Sequence, residues 1–149
     1  MRSRPAPPRR RGEAPLAPAD GARLLAEARR VRANAHAPYS RFRVGAAVLD
    51  ERGAIHVGCN VENASYGLTV CAERNAVAAA VAAGARRLRA VAVVTKSRPP
   101  GRPCGACRQV LLERGSDETT VLLAGPSGPA EERRLGDLLP ESFRFSRRR

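Results

Sequence analysis

Four cysteines stand at positions 59, 71, 104 and 107, and three of them fall where helices are expected to begin. Cys71 opens a stretch rich in Ala and Val, while Cys104 and Cys107 lie one turn apart at the start of another helical stretch. Thiolate is the form of cysteine that binds metal, and helix N-termini favour negative charge, so both helix starts are expected to lower the thiol pKa values. Soft, tetrahedral sulfur ligation points to zinc. Three ligands leave one coordination position open, which separates catalytic zinc from closed structural zinc. Cys59 offers a competing fourth ligand that would make a structural knuckle. Its place at a strand end, with no Cys-x-x-Cys partner, reads instead as packing.

Glu73 follows Cys71 by two residues at the same helix start. An acid there satisfies the helix dipole, and it is equally placed to act as general acid and base beside a zinc-coordinated water, whose pKa the metal lowers to about 7. His36 and His56 stand alone in the pattern and are read as structural or solvent-exposed.

These residues need a scaffold. Asp20 is expected to cap a helix running to Ala35, with Leu24, Leu25, Ala28 and Val31 on one face. Alternation from Phe42 to Leu49, the Glu51-Arg52-Gly53 turn and the run Ala54 to Cys59 predict a β-hairpin. A buried helix over 71–83 ends at Gly84, Leu88 to Thr95 reads as a core strand covered on both faces, and Cys104 to Arg114 recovers helical spacing. Thr119 to Ala124 is a further strand, and 131–140 holds a short strand and a helical turn. The order predicts an α/β protein, a three-layer α-β-α sandwich with a mixed, roughly five-stranded sheet.

With 149 residues the chain fits one domain, expected over 20–145. No run approaches a membrane span. The net charge of +13 is uneven: residues 1–19 carry five Arg against one Glu, and residues 143–149 carry four Arg and no acid. Five of the twelve prolines lie between positions 5 and 18, so 1–19 is expected to be a disordered leader and 146–149 a basic tail, with a transit peptide as the alternative for the leader. Basic ends of this kind bind nucleic acid weakly and without specificity. No apolar segment follows Arg9, Arg10 and Arg11, so the chain is expected in the cytoplasm with reduced cysteines rather than disulfides.

Cys71-Ala72-Glu73, followed by Pro103-Cys104-Gly105-Ala106-Cys107-Arg108-Gln109, resembles the zinc site of three-cysteine cytidine deaminases. The resemblance extends through the stretches Ala37 to Ala47 and Gly58 to Tyr66, and through Leu138-Leu139-Pro140 with Phe143, covering roughly residues 20–145. It implies one zinc per chain on Cys71, Cys104 and Cys107, with Glu73 as the proton shuttle that also holds the pyrimidine N3. It further implies that Asn60 and Glu62 bind the ribose 3′-hydroxyl, that Phe42 stacks on the base, and that the backbone around Ala72 and Pro103 holds the base edges. Tyr66 and Phe143 would reach a neighbouring subunit's site in a homotetramer. Periodicity alone would put Phe42 and Phe143 in the core.

Three thiolates on Zn²⁺ leave a net negative charge that weakens the metal as a Lewis acid. Arg74 is placed to donate to the ligand sulfurs, with Gln109 orienting it, though a solvated arginine is the plainer reading. The activity implied is hydrolytic deamination of cytidine and 2′-deoxycytidine in pyrimidine salvage. Two alternatives stay open: an enzyme like blasticidin S deaminase, and a non-catalytic, zinc-stabilised module that binds nucleic acid.

Overall fold

The computed structural model describes residues 14–145. Most of the expected leader and all of the expected tail 146–149 therefore lie outside the described residues. The chain forms α1 (Pro18–Arg32), β1 (Gly45–Asp50), β2 (Ile55–Cys59), a 3₁₀ turn (Tyr66–Leu68), α2 (Ala72–Ala82), β3 (Leu88–Val94), α3 (Gly105–Arg114), β4 (Thr120–Ala124), β5 (Ala130–Arg134) and the short α4 (Leu135–Leu138). Strand order is β2-β1-β3-β4-β5, antiparallel except for β3 and β4, which run parallel with α3 as their crossover. This is the expected mixed five-stranded sheet.

Side chains alternate across the strands, so each face has its own core. Ala47, Leu49, Ala90, Ala92 and Val94 pack under Leu24 and Ala28 of α1. Their neighbours Ala46, Val48, Val91, Val93, Val121 and Leu123 pack against Ala72, Ala76 and Val77 of α2 and Leu111 of α3. Small residues let the layers come close. A Cβ on Gly45 would lie 2.0 Å from the Ala28 carbonyl oxygen of α1, and one on Gly58 would lie 2.4 Å from the Ala76 nitrogen of α2. Only glycine permits either approach, and the second presses the first turns of α2 against the sheet. Among the described residues no helix is long and apolar enough to cross a membrane.

Three boundaries differ from expectation by more than one residue. α1 starts at Pro18 with Ala17 as its N-cap, and Asp20 lies inside the first turn, paired with Arg23 at 3.1 Å. Proline is preset for the first helical position, where its missing N–H costs nothing, and Asp20 acts there through the helix dipole instead of as a cap. The helix ends at Arg32, short of Ala35, where the chain turns and the Arg32 Nε donates to the Arg43 carbonyl at 3.0 Å. Strand pairing in β1 begins at Gly45 and not at Phe42. The Asn60 side chain takes over there, accepting from Val44 N–H at 2.8 Å and donating to the Phe42 carbonyl at 2.7 Å.

Candidate active site

Register brings the chemistry to one end of the sheet. Gly45 is opposite both Cys59 and Val94, and Val94 is opposite Ala124, so the carboxyl ends of β2, β3 and β4 lie side by side. Ligands bind outside such ends in open α/β sheets. α2 and α3 both start here, with Cys71 and Cys104 as N-caps in extended conformation. Neither side chain caps its own helix, which leaves both sulfurs available to a metal.

The Sγ atoms of Cys71, Cys104 and Cys107 lie within 4.8 Å of one another, with Cys71 and Cys104 at 4.0 Å. Tetrahedral zinc with ligands at about 2.3 Å needs sulfurs about 3.8 Å apart, so this donor set fits the ion. Cys59 is half-buried and lies outside the group. The thiols are not all lowered alike. Hydrogen bonding with the Cys107 thiol, aided by Cys104 and Arg74, holds Cys71 down at about 5. Cys107 is pushed up by that same contact with Cys71 and by burial, with the negative charge of Glu73 adding to the effect. Helix N-termini favour thiolate, but two adjacent anions oppose each other more strongly than the dipole helps.

Glu73 is only 5% exposed. Burial raises its carboxyl above the usual range, and the neighbouring Cys71 charge adds to this against the pull of its backbone N–H, the Cys107 thiol and Arg74. Arg74 donates to the Thr69 carbonyl at 2.9 Å, while its Nε is buried without a hydrogen-bond partner. Gln109 is engaged elsewhere than the expectation placed it: its Nε2 donates to the Phe143 carbonyl at 3.0 Å. On α3 it serves to tether the C-terminal segment, a role that spacing along the sequence cannot distinguish from contact with Arg74.

A second group lies beyond the end of β2. Asn60 is buried, and its amide is committed to the backbone of Phe42 and Val44, leaving one amide hydrogen and one oxygen lone pair for a ligand. Glu62 accepts from the N–H groups of Tyr39 at 2.8 Å and Ser40 at 3.2 Å, and from the Ser40 hydroxyl. Ala72 is fully buried in the first turn of α2. Phe42, Tyr66 and Phe143 are exposed at 41%, 80% and 72%, so none is a core residue. Tyr66 packs edge-on against Tyr39 at 6.4 Å between ring centres.

Several positioning contacts had no signal in the sequence. The Asn75 side chain of α2 donates to the Cys59 carbonyl at 2.8 Å and ties α2 to β2. The buried Thr95 hydroxyl accepts from Gly101 N–H at 2.7 Å and pins the loop that leads to Cys104. Arg108 clasps the other end of that loop.

Residues 19–123 match the family profile for the cytidine and deoxycytidylate deaminase zinc-binding region. A cytidine deaminase from Sporosarcina psychrophila is 46% identical over 124 residues, covering 83% of this chain and 91% of that protein. The crystal structure of cytidine deaminase from Burkholderia pseudomallei superposes with a TM-score of 0.78 at 48% identity, covering 82% of this chain and 98% of that one. That from Mycobacterium tuberculosis gives 0.75, also at 48% identity, covering 85% and 98%. The fold and the three-cysteine centre define a zinc-binding hydrolase. The chain belongs to the cytidine and deoxycytidylate deaminase family.

Proposed function

We propose that the protein converts cytidine and 2′-deoxycytidine to uridine and 2′-deoxyuridine with release of ammonia, in pyrimidine salvage in the cytoplasm. The observation that carries this reading is the convergence of Cys71, Cys104 and Cys107 at the carboxyl end of the sheet, with the buried Glu73 beside Cys71 and Cys107. Cys71, Cys104 and Cys107 would hold one zinc ion per chain, which when bound would supply Lewis acidity to activate water near neutral pH. Glu73 accepts the proton of the attacking water as its oxygen bonds to C4 of the pyrimidine. The same carboxyl delivers that proton to N3, then takes the second one from the new C4 hydroxyl and gives it to the amino group, so the C4–N bond breaks as C4=O forms and ammonia leaves.

Arg74, beside Cys71, draws charge from the ligand sulfurs. Phe42 stacks on the base, the backbone around Ala72 and Pro103 holds its O2 and amino edges, and Glu62, with the remaining capacity of Asn60, takes the ribose 3′-hydroxyl. Tyr66 and Phe143 serve a neighbouring subunit's site in a homotetramer. Their exposure supports this, each beside a second exposed ring, Tyr66 against Tyr39 and Phe143 against Phe145, as apolar groups held in water mark an interface.

The test is the absorbance of cytidine on incubation with zinc-loaded protein, with uridine and ammonia formed in equal amounts. Zinc-loaded protein that leaves cytidine and deoxycytidine intact would overturn the proposal, and preferential turnover of blasticidin S would redirect it. Cys59→Ala should keep its zinc by elemental analysis, while Cys104→Ala should lose it.

A further inference from the structure

We infer that Ser40 is a positioning residue for ribose recognition, acting through Glu62 and linking it to Phe42. The inference rests on the reading of Glu62 and Phe42 given above. The Ser40 hydroxyl makes two contacts, to Glu62 Oε1 and to the backbone N–H of Phe42 at 3.0 Å. Chemistry sets their direction. An amide N–H can only donate, so the hydroxyl oxygen accepts there and its single hydrogen is left for the carboxylate.

Glu62 Oε2 takes the N–H groups of Tyr39 and Ser40 at 2.8 and 3.2 Å. The backbone folds around the carboxylate because Arg41 adopts a left-handed φ of 57°, which turns Phe42 N–H back towards the Ser40 side chain. Residues 39–42 thus form a socket for one carboxylate, and the far end of that socket is the residue assigned to the base. The hydroxyl sets how Oε1 is turned, and the Ser40 N–H, bonded mainly to Oε2, reaches Oε1 only at 3.4 Å, which leaves that oxygen room for a ligand. The hydroxyl is also the largest contribution holding the Glu62 carboxyl below its usual range, which keeps it an acceptor.

Serine and threonine can bridge a backbone N–H and a carboxylate in this way, and alanine cannot. Glu62 would remain in place in Ser40→Ala through the two N–H groups, but Oε1 would lose the group that orients it. The loss should therefore fall on recognition of the sugar.

The experiment compares cytidine with 3′-deoxycytidine in the zinc-loaded wild type and in Ser40→Ala, Ser40→Thr, Glu62→Gln and the Ser40→Ala/Glu62→Gln double variant. The ratio of kcat/KM for the two substrates is taken within each preparation, so the fraction of folded enzyme cancels. In the wild type cytidine should be preferred. Ser40→Ala should raise KM for cytidine by roughly tenfold, as loss of one hydrogen bond to a charged group does, and shrink the preference. Ser40→Thr should restore it, and the double variant should discriminate no worse than Glu62→Gln alone. An unchanged ratio in Ser40→Ala while Glu62→Gln abolishes the preference would overturn the role of Ser40 and leave that of Glu62 standing. An unchanged ratio in Glu62→Gln would remove Glu62 from the ribose, and Ser40 with it.

Discussion

Arg108 donates from Nε to the carbonyl of Pro103 at 2.8 Å, directly before Cys104. The same guanidinium donates from Nη1 to the Leu138 carbonyl at 2.5 Å, at the end of α4. It therefore ties the loop that ends in Cys104 to the segment leading to Phe143, which Gln109 holds one residue further along α3. Arg108→Ala should release zinc to a competing chelator faster by about tenfold, the scale of a lost charged hydrogen bond, with Arg108→Lys in between. Release at the wild-type rate would mean that Thr95 and the loop's own backbone suffice.

Glu73→Gln should keep zinc and the fold but lose turnover by at least about 10²-fold, since a general acid and base contributes about 10² to 10⁴. Arg74→Gln should cost less, because it tunes the metal's charge and transfers no proton. Steady-state rates alongside zinc content decide this, and a larger effect at Arg74 would reverse the assignment.

Asn60→Ala removes the amide that closes off β1. Val44 N–H and the Phe42 carbonyl would lose partners at 2.8 and 2.7 Å. An unsatisfied buried polar group costs roughly 1 to 3 kcal/mol, so Tm should fall by roughly 3 to 10 °C in a domain of this size. Calorimetry of the zinc-loaded protein checks it. An unchanged Tm would mean that water takes over both contacts.

Asp50 lies at the opposite end of the sheet and is fully buried. Burial opposes its charge, but hydrogen bonds from His56 at 3.0 Å, the Arg52 side chain at 2.9 Å and the backbone N–H groups of Ala54 and Arg52 prevail and hold the carboxyl well below its usual range. A depressed carboxyl stabilises the fold above its unfolded pKa of about 3.9, and that stability drains away as pH falls through the folded value. Asp50→Asn should therefore be less stable than wild type at pH 7, with the gap narrowing below about pH 4, where the wild-type advantage titrates away. Denaturant unfolding at several pH values measures the gap, and a gap that stays constant into acid would rule out the ionised form as its source.

The sequence by itself determined the elements and the three-cysteine cluster. Both rest on signals confined to a turn or two: apolar alternation in Leu88–Val94, the Ala and Val face of α2, Gly84 as a stop, and cysteines at two helix starts. A thiol at an N-cap has its direction set by the helix that follows, so Cys71 and Cys104 could be read as partners before their 4.0 Å approach was known. Tertiary structure decided where β1 begins, where Gln109 points, and what holds Glu62. Each of these depends on a side chain meeting backbone far along the chain, as Asn60 meets Val44 across 16 residues and Gln109 meets Phe143 across 34. Local propensity carries no information about such pairs, because a buried N–H or carbonyl takes whichever polar group the packing brings within reach.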